Sequence, residues 1–330
     1  MHMVSVLGGA GFIGTALCRQ LEQQKIPFEI IDLKPSQTFP DQSKIGDVRD
    51  IDALKSVITG DIIINLAAVH RDDVSDRAAY YETNVHGTKT VCDVAADKGI
   101  DHIIFTSSVA VYGFAPVGTG EDGKIDPFND YGKSKAEGED MLRQWRNEAS
   151  DSRNLTIVRP TVVFGEGNRG NVFNLLNQVA SGRFIMIGSG KNRKSMAYVE
   201  NVAAFLLHAA RNPSPYTVVN YVDDPDLDMN TLVSQIRKKL SGKSGVGFRM
   251  PYGVGLLAGY MADGVAKMSG RSLPISSVRV RKFCANTSFK SAKSKFHDFS
   301  ARFSIEEGLE RTLEAEFISP DPNREVFFTE

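Results

Sequence analysis

The residues best suited to chemistry are Tyr131 and Lys135, which stand at i and i+4 in the stretch Tyr131-Gly132-Lys133-Ser134-Lys135. On a helix that spacing places the two side chains one above the other on a single face. A free tyrosine titrates near ~10, too high for a base at neutral pH. A neighbouring ammonium favours the phenolate and lowers that value. Upstream, an apolar run over 102–107 ends in Thr106-Ser107-Ser108, followed by Val109-Ala110-Val111-Tyr112-Gly113. Strand C-termini are where open α/β sheets hold their ligands. From there the Ser108 hydroxyl can hydrogen-bond a reacting oxygen and hold it against Tyr131. Together the three side chains suit proton transfer at a hydroxyl-bearing carbon.

A second group supplies the partner for that chemistry. Directly after an apolar run over 3–7 comes Gly8-Gly9-Ala10-Gly11-Phe12-Ile13-Gly14. Glycines at 8, 11 and 14 permit a tight turn, close approach of backbone to a pyrophosphate, and close packing of helix on strand. The helix beginning near Phe12 aims its first amides, including those of Ile13 and Gly14, at the phosphates. Asp32 follows 18 residues beyond Gly14, at the end of the next apolar run, where a carboxylate binds both ribose hydroxyls. It would repel a 2′-phosphate, so NAD is the expected cofactor. Lys34 is the one feature that keeps NADP in view. With a nicotinamide present, Tyr131 becomes the acid/base of a hydride transfer, and the positive ring further lowers its pKa.

The elements that must position these groups alternate. Runs over 3–7, 28–33, 61–66, 102–107 and 154–159 are short and rich in Val, Ile and Phe, and amphipathic stretches such as 78–98 and 131–149 lie between several of them. Strands separated by helices of this length imply a parallel sheet with right-handed crossovers, covered on both faces. The expected fold class is α/β, a Rossmann-type doubly wound parallel sheet with a smaller, interleaved C-terminal substrate domain. Residues 1–165 would form the NAD-binding part, with 195–225 returning to it. Residues 166–194 and 226–330 would form the substrate-binding part. Within them, 171–190 reads as a helix and a short strand, and 199–210 as another helix.

Composition is that of an ordinary globular protein of 330 residues. Cys18, Cys92 and Cys284 have no paired spacing, which fits reduced, packed thiols and no metal site. The start of the chain does not read as a signal peptide, and no apolar run approaches the ~18 residues of a membrane span. A cytoplasmic location is therefore expected. The net charge of −1 conceals a basic block. Between Ile236 and Lys295 lie thirteen lysines and arginines, and Asp263 is the single acid. Such a block suits an anionic partner or is simply a solvated surface. Stacking aromatics are too sparsely interleaved for a nucleic-acid role.

Taken as a set, GGAGFIG, Asp32, Asp47-Val48, Asn65-Leu66-Ala67-Ala68, Asn84-Val85-His86-Gly87-Thr88, TSSVAVYG and YGKSK resemble the extended short-chain dehydrogenase/reductase superfamily. They resemble in particular its nucleotide-sugar epimerase/dehydratase branch. That resemblance implies a tightly held NAD, reduced and reoxidised within one cycle. It implies that Asp47 and Val48 contact adenine, that Leu66, Ala67 and Ala68 line the cofactor groove, and that Asn84 anchors a helix near the site. A homodimer through paired helices is the superfamily's habit. Dehydratases of the branch carry an acid pair after the serine, where this chain has the apolar Val109-Ala110, so the resemblance favours epimerisation at C4 of a sugar.

On the substrate side the chain departs from the pattern for UDP-sugars, with Val162 in place of an asparagine and Lys194 in place of an arginine. Arg71, Arg169, Asn171, Lys191, Arg193 and Lys194 remain as donors for a sugar diphosphate. The longer stretches RPTVVFGEGNRGNVFNLL, KSMAYVEN and SSVRVRKFCANTSF resemble the bacterial 4-epimerases whose N-acetylglucosamine is carried on undecaprenyl diphosphate for O-antigen assembly. The resemblance thus implies a lipid-linked sugar diphosphate, with a nucleotide-linked one, or a 4-keto-sugar reductase, as the alternative. It also implies peripheral contact of 248–295 with the inner face of an anionic membrane. The apolar segment 250–266, set inside the basic block, is either the docking element or a core helix. Gly253, Gly255, Gly259 and Gly264 weaken its expected helicity.

Overall fold

The computed structural model describes residues 3–70, 76–269 and 276–329. Strands β1 (Val4–Leu7), β2 (Phe28–Asp32), β3 (Ser43–Ile45), β4 (Ile62–Asn65), β5 (His102–Thr106) and β6 (Asn154–Pro160) alternate with helices. These helices are α1 (Phe12–Gln23), α2 (Ile51–Val57), α3 (Ala78–Tyr81), α4 (Gly87–Lys98) and α5 (Asp130–Glu148). Short strands β7 (Val162–Phe164), β8 (Met186–Ile187), β9 (Arg193–Lys194) and β10 (Met196–Tyr198) precede the longer β11 (Tyr216–Tyr221). Two more short strands follow, β12 (Leu227–Asp228) and β13 (Arg249–Met250). The later helices are α6 (Asn171–Ala180), α7 (Val199–Arg211), α8 (Met229–Ser241), α9 (Tyr252–Ser269), α10 (Ser277–Cys284) and α11 (Ile305–Leu313).

Seven strands form one parallel sheet in the order β11-β6-β5-β4-β1-β2-β3. The chain runs outward from β1 in one direction and from β4 in the other, so the crevice above β1 and β4 is the switch point where such sheets bind ligands. Strands β1, β4 and β5 are buried at every residue, which explains their richness in Val, Ile and Leu. One face is covered by α1 and α7 through Leu17, Leu21, Phe205 and Leu206. The other is covered by α2, α4 and α5 through Leu54, Val91, Leu142 and Trp145. The fold is the doubly wound Rossmann type expected from the alternation of elements. Residues 216–221 return to the sheet beside β6, with Val218 opposite Ile157.

Two stretches differ from their simplest sequence reading. The helix over 78–98 is interrupted by a π turn at Glu82–His86, between α3 and α4. The wider turn turns Asn84 fully inward, and π bulges commonly serve such placements. Of the segment 250–266, Met250 ends β13, and the residues from Tyr252 onward form the continuous helix α9 despite its glycines. Gly255 and Gly259 are its contact points: a Cβ at Gly255 would lie 2.6 Å from Ile187 Cγ2, and one at Gly259 would lie 2.8 Å from the Ser277 backbone. With the small residues turned inward, Val254, Leu257, Met261, Val265 and Met268 form an exposed stripe. Leu257 and Met261 are 60% and 61% exposed, so α9 is not a core helix.

The end of the chain returns to the segments that follow β2 and β7. Thr38 Oγ1 donates to Glu325 at 2.8 Å, and the Phe327 amide donates to Gly167 O at 2.9 Å. The Phe327 ring rests 5.8 Å from that of Phe12, at the start of α1.

Candidate active site

A cleft of about 800 Å³ opens at the switch point, within the size range of cofactor and small-ligand sites. Its floor is the glycine loop. Gly8 has φ +74°, and a Cβ there would stand 2.7 Å from the Ala67 amide. A Cβ at Gly14 would stand 2.5 Å from Gly9 Cα, so α1 lies directly on the loop. Gly11 caps α1 without a side chain, leaving the first-turn amides facing the cleft. Asp32 accepts from the Ala10 and Leu33 amides, at 3.1 and 2.7 Å. Burial nevertheless pushes its pKa up, against the pull of those amides and of Lys34. A carboxylate in that condition has capacity for further donors, such as a ribose diol. Asp47 is chelated by the Arg49 guanidinium, at 2.6 Å, which lowers its pKa and occupies the arginine. Gly8, Gly11, Phe12, Ile13, Gly14, Asp32, Asp47, Val48, Leu66, Ala67 and Ala68 all line the cleft, as a dinucleotide site requires.

Ser108, Tyr131 and Lys135 line the same cleft, at the end of β5 and on the first turns of α5. Asn129 caps α5 by accepting from the Gly132 amide at 2.9 Å, which fixes the helix start at Asp130, one residue before Tyr131. Tyr131 also meets the Tyr80 ring, 6.5 Å between centroids. Lys135 is wholly buried, with Nζ 4.2 Å above the Phe105 ring. Burial lowers its pKa to about 7, an effect that Glu139 one turn further along only partly opposes. Glu139 itself is committed to Arg159, at 2.6 and 2.8 Å, and this pair overcomes the burial that would otherwise raise the glutamate. The buried hydroxyl of Thr106 has no hydrogen-bond partner among the described residues, and both it and the Ser107 hydroxyl, which helps lower the pKa of Glu139, line the cleft, where a bound ligand can engage them. The glycine cradle, the acidic strand end and these hydroxyls fit a nicotinamide dinucleotide.

Asn84 does not line the cleft. It receives the Val69 amide and donates to Val69 O and Ser134 Oγ, each at 2.9 Å. It therefore ties the loop beyond β4 to the helix bearing Tyr131. Among the expected substrate donors, Asn171 reaches the cleft. Arg169 lies outside its lining because its guanidinium is held by Glu316, at 2.9 Å, and stacks over Phe173. Lys191 and Arg193 are exposed beyond it. Lys194 turns under α10, donating to Lys282 O at 2.8 Å, and burial lowers its pKa to about 8. Arg71 lies outside the described residues. Sequence reasoning missed Phe128, Ser195, Thr287, Phe289 and Thr329, which line the cleft from loops and the chain end. No spacing rule marks such positions, because they are brought in by tertiary packing.

Residues 4–220 match the NAD dependent epimerase/dehydratase family, and the chain belongs to that family. More particularly, it is 46% identical over 331 residues to the N-acetyl-alpha-D-glucosaminyl-diphospho-ditrans,octacis-undecaprenol 4-epimerase of Escherichia coli O157:H7, covering 99% of each chain. Among solved structures it is similar in fold to MoeE5 in complex with UDP-glucuronic acid and NAD, with TM-score 0.72 and 23% identity, covering 96% of this chain and 99% of that one. It is likewise similar to the UDP-glucose 4-epimerase of Thermotoga maritima, with TM-score 0.72 and 20% identity over 94% of this chain and 97% of the other.

Proposed function

We propose that the chain is an NAD-dependent sugar 4-epimerase that interconverts N-acetylglucosamine and N-acetylgalactosamine units carried on undecaprenyl diphosphate. The observation that carries epimerisation over elimination is the lining around Ser108. Among the described residues the cleft carboxylates are Asp32 and Asp47, both at the glycine-loop end, while Val109 and Ala110 stand beside the serine. Loss of water from the neighbouring carbon would need an acid there.

Ser108 holds the C4 oxygen, and Tyr131 takes the proton of the C4 hydroxyl. Lys135, one turn along α5, stabilises the phenolate by its charge. NAD bound over the glycine loop supplies hydride acceptance at C4 and the return of hydride to the opposite face. Tyr131 then gives the proton back to the inverted oxygen, so the sugar suffers no net oxidation. The near-full-length similarity to a lipid-linked sugar epimerase supports the lipid carrier.

Contact with an anionic membrane belongs to the same reading. Among the described residues no helix is long and apolar enough to cross a bilayer. Helix α9, which carries the exposed stripe, packs on α10, whose Arg279, Arg281 and Lys282 are exposed. An apolar stripe flanked by cations suits the interface of anionic lipids, where each cation contributes ~1 kcal/mol.

The test is mass spectrometry of lipid-linked and UDP-linked sugar pools after incubation with the purified protein in detergent. Interconversion in the lipid-linked pool without added NADH is expected. Turnover confined to UDP-sugars would remove the lipid carrier, and stoichiometric NADH consumption would make the enzyme a reductase.

A further inference from the structure

We propose that the stacked rings of Phe114 and Phe128, at the mouth of the cleft, seat the first isoprene units of a polyprenyl diphosphate, with Lys282 beside them on the diphosphate. The inference rests on the lipid-linked reading above and assigns the carrier's route.

Phe128 lines the cleft, and its ring lies 4.6 Å from that of Phe114 at an interplanar angle of 27°. Both rings face solvent, Phe114 being 83% exposed. Such a pair beside an active site marks an apolar contact surface. The loop that carries it is pinned. Gly113 has φ +61°, and a Cβ there would lie 2.1 Å from Asp126 O, while the Asp126 amide donates to Val111 O at 3.0 Å. Further out, the Gly118 amide donates to Ser288 O at 2.7 Å, and the Lys290 amide to Thr119 O at 3.0 Å. The rings are therefore presented from a fixed loop.

The surroundings supply direction. Lys282, on α10, places Nζ 6.0 Å from the centre of the Phe128 ring. Its neighbour Arg281 hydrogen-bonds Tyr260 on α9. At the mouth of the cleft the cation and the aromatic pair thus stand side by side, and Arg281 and Tyr260 join that region to α9. A diphosphate at Lys282 would leave the isoprenes that follow it against the rings and the rest of the chain toward the apolar stripe of α9. The Phe side chains carry no hydrogen-bonding group to read a base edge, which favours the apolar chain over a nucleobase.

The test compares the holoenzyme and its Phe114→Ser/Phe128→Ser variant on N-acetylglucosamine diphosphate esterified to farnesol or to methanol. The wild type should show a KM about tenfold or more lower for the farnesyl ester, as burial of a few methylenes gives. In the double variant the two KM values should converge to within about twofold. A wild-type preference that survives both substitutions would overturn the route while leaving the lipid-linked reading intact. Failure of the wild type to turn over the farnesyl ester would overturn both. As a probe that conserves the aromatic surface, Phe114→Trp should show a blue shift in emission with farnesyl diphosphate and little with UDP. An equal shift with UDP would make the pair a nucleobase platform and sink the proposal.

Discussion

Helices α5 and α9 are of similar length, 19 and 18 residues, and use their side chains in opposite senses. The sequence of α5 is rich in charge, yet Lys135 and Glu139 are buried against the sheet. The sequence of α9 is apolar, yet large side chains such as Leu257 and Met261 point outward while Gly255 and Gly259 face the protein. Burying an ammonium disfavours its charged form, and exposing a row of Leu, Met and Val forgoes hydrophobic stabilisation. Each helix thus departs from the usual sorting of residues by polarity, and such departures concentrate where a protein binds or reacts. In the function proposed above, the misplaced group of α5 serves proton chemistry, and that of α9 makes a surface for something apolar.

The largest expected effect tests the α5 half of this contrast. Tyr131→Phe should lower turnover by about 10²–10⁴-fold, since it removes the proton-transfer group alone. Cofactor retention, followed by absorbance of the released nucleotide after denaturation, should be unchanged. Near-normal turnover would make the buried Lys135 a structural feature and erase the distinction between the helices. On the other side, Leu257→Glu/Met261→Glu should weaken sedimentation with anionic vesicles by about tenfold or more. Neutralising Arg279, Arg281 and Lys282 together should weaken it further in low salt and less in high salt. Unaltered binding by both variants would leave α9 as a surface awaiting another partner.

Much of the α5 half was legible in the sequence because its signals are local. The glycine loop, Asp32 at a strand end and the i,i+4 pair Tyr131–Lys135 each follow from spacing within one element, and the sheet placed them in one cleft. The substrate half was less legible. Arg169 looked like a phosphate donor, but only the folded chain brings Glu316 to it. Lys194 similarly faces the backbone of α10, 88 residues away in sequence. For α9 the glycines argued against a helix, because propensity carries no information about what the backbone packs against. The aromatic platform and Thr329 come from loops and the chain end, where no periodicity operates.

A smaller effect concerns the chain end, which sequence reasoning passed over. Glu325 and Phe327 hold the last residues against Thr38, Gly167 and Phe12, and Thr329 reaches the cleft. Deleting 325–330 should speed dissociation of bound NAD by about tenfold, the equivalent of one lost aromatic contact and a hydrogen bond. Stopped-flow release into an excess of competing nucleotide would measure it. An unchanged rate would mean that the glycine cradle holds the cofactor unaided, sharpening the assignment of binding to the first half of the chain.

The last prediction returns to Lys135 as a matter of stability. In the cofactor-free protein its pKa is held near 7 by burial, while in the unfolded chain it takes its ordinary value near ~10.4. Between those values the unfolded state binds the extra proton, so stability should rise with pH across that window. Below about 7 both states are protonated and the penalty is fully present. Lys135→Met removes the charge and keeps most of the volume. Without cofactor it should exceed the wild type in stability at pH 7 by at least about 1 kcal/mol, the cost of burying an ion with little compensation. The gap should shrink as the pH approaches 10. Denaturant titrations at several pH values measure it directly. Should the wild type lose stability relative to Lys135→Met as the pH rises, the ammonium must be paired in the fold, with Glu139 as its nearest carboxylate along α5. Lys135 would then be an ordinary ion-pair residue, and the contrast with α9 would reduce to one helix out of place.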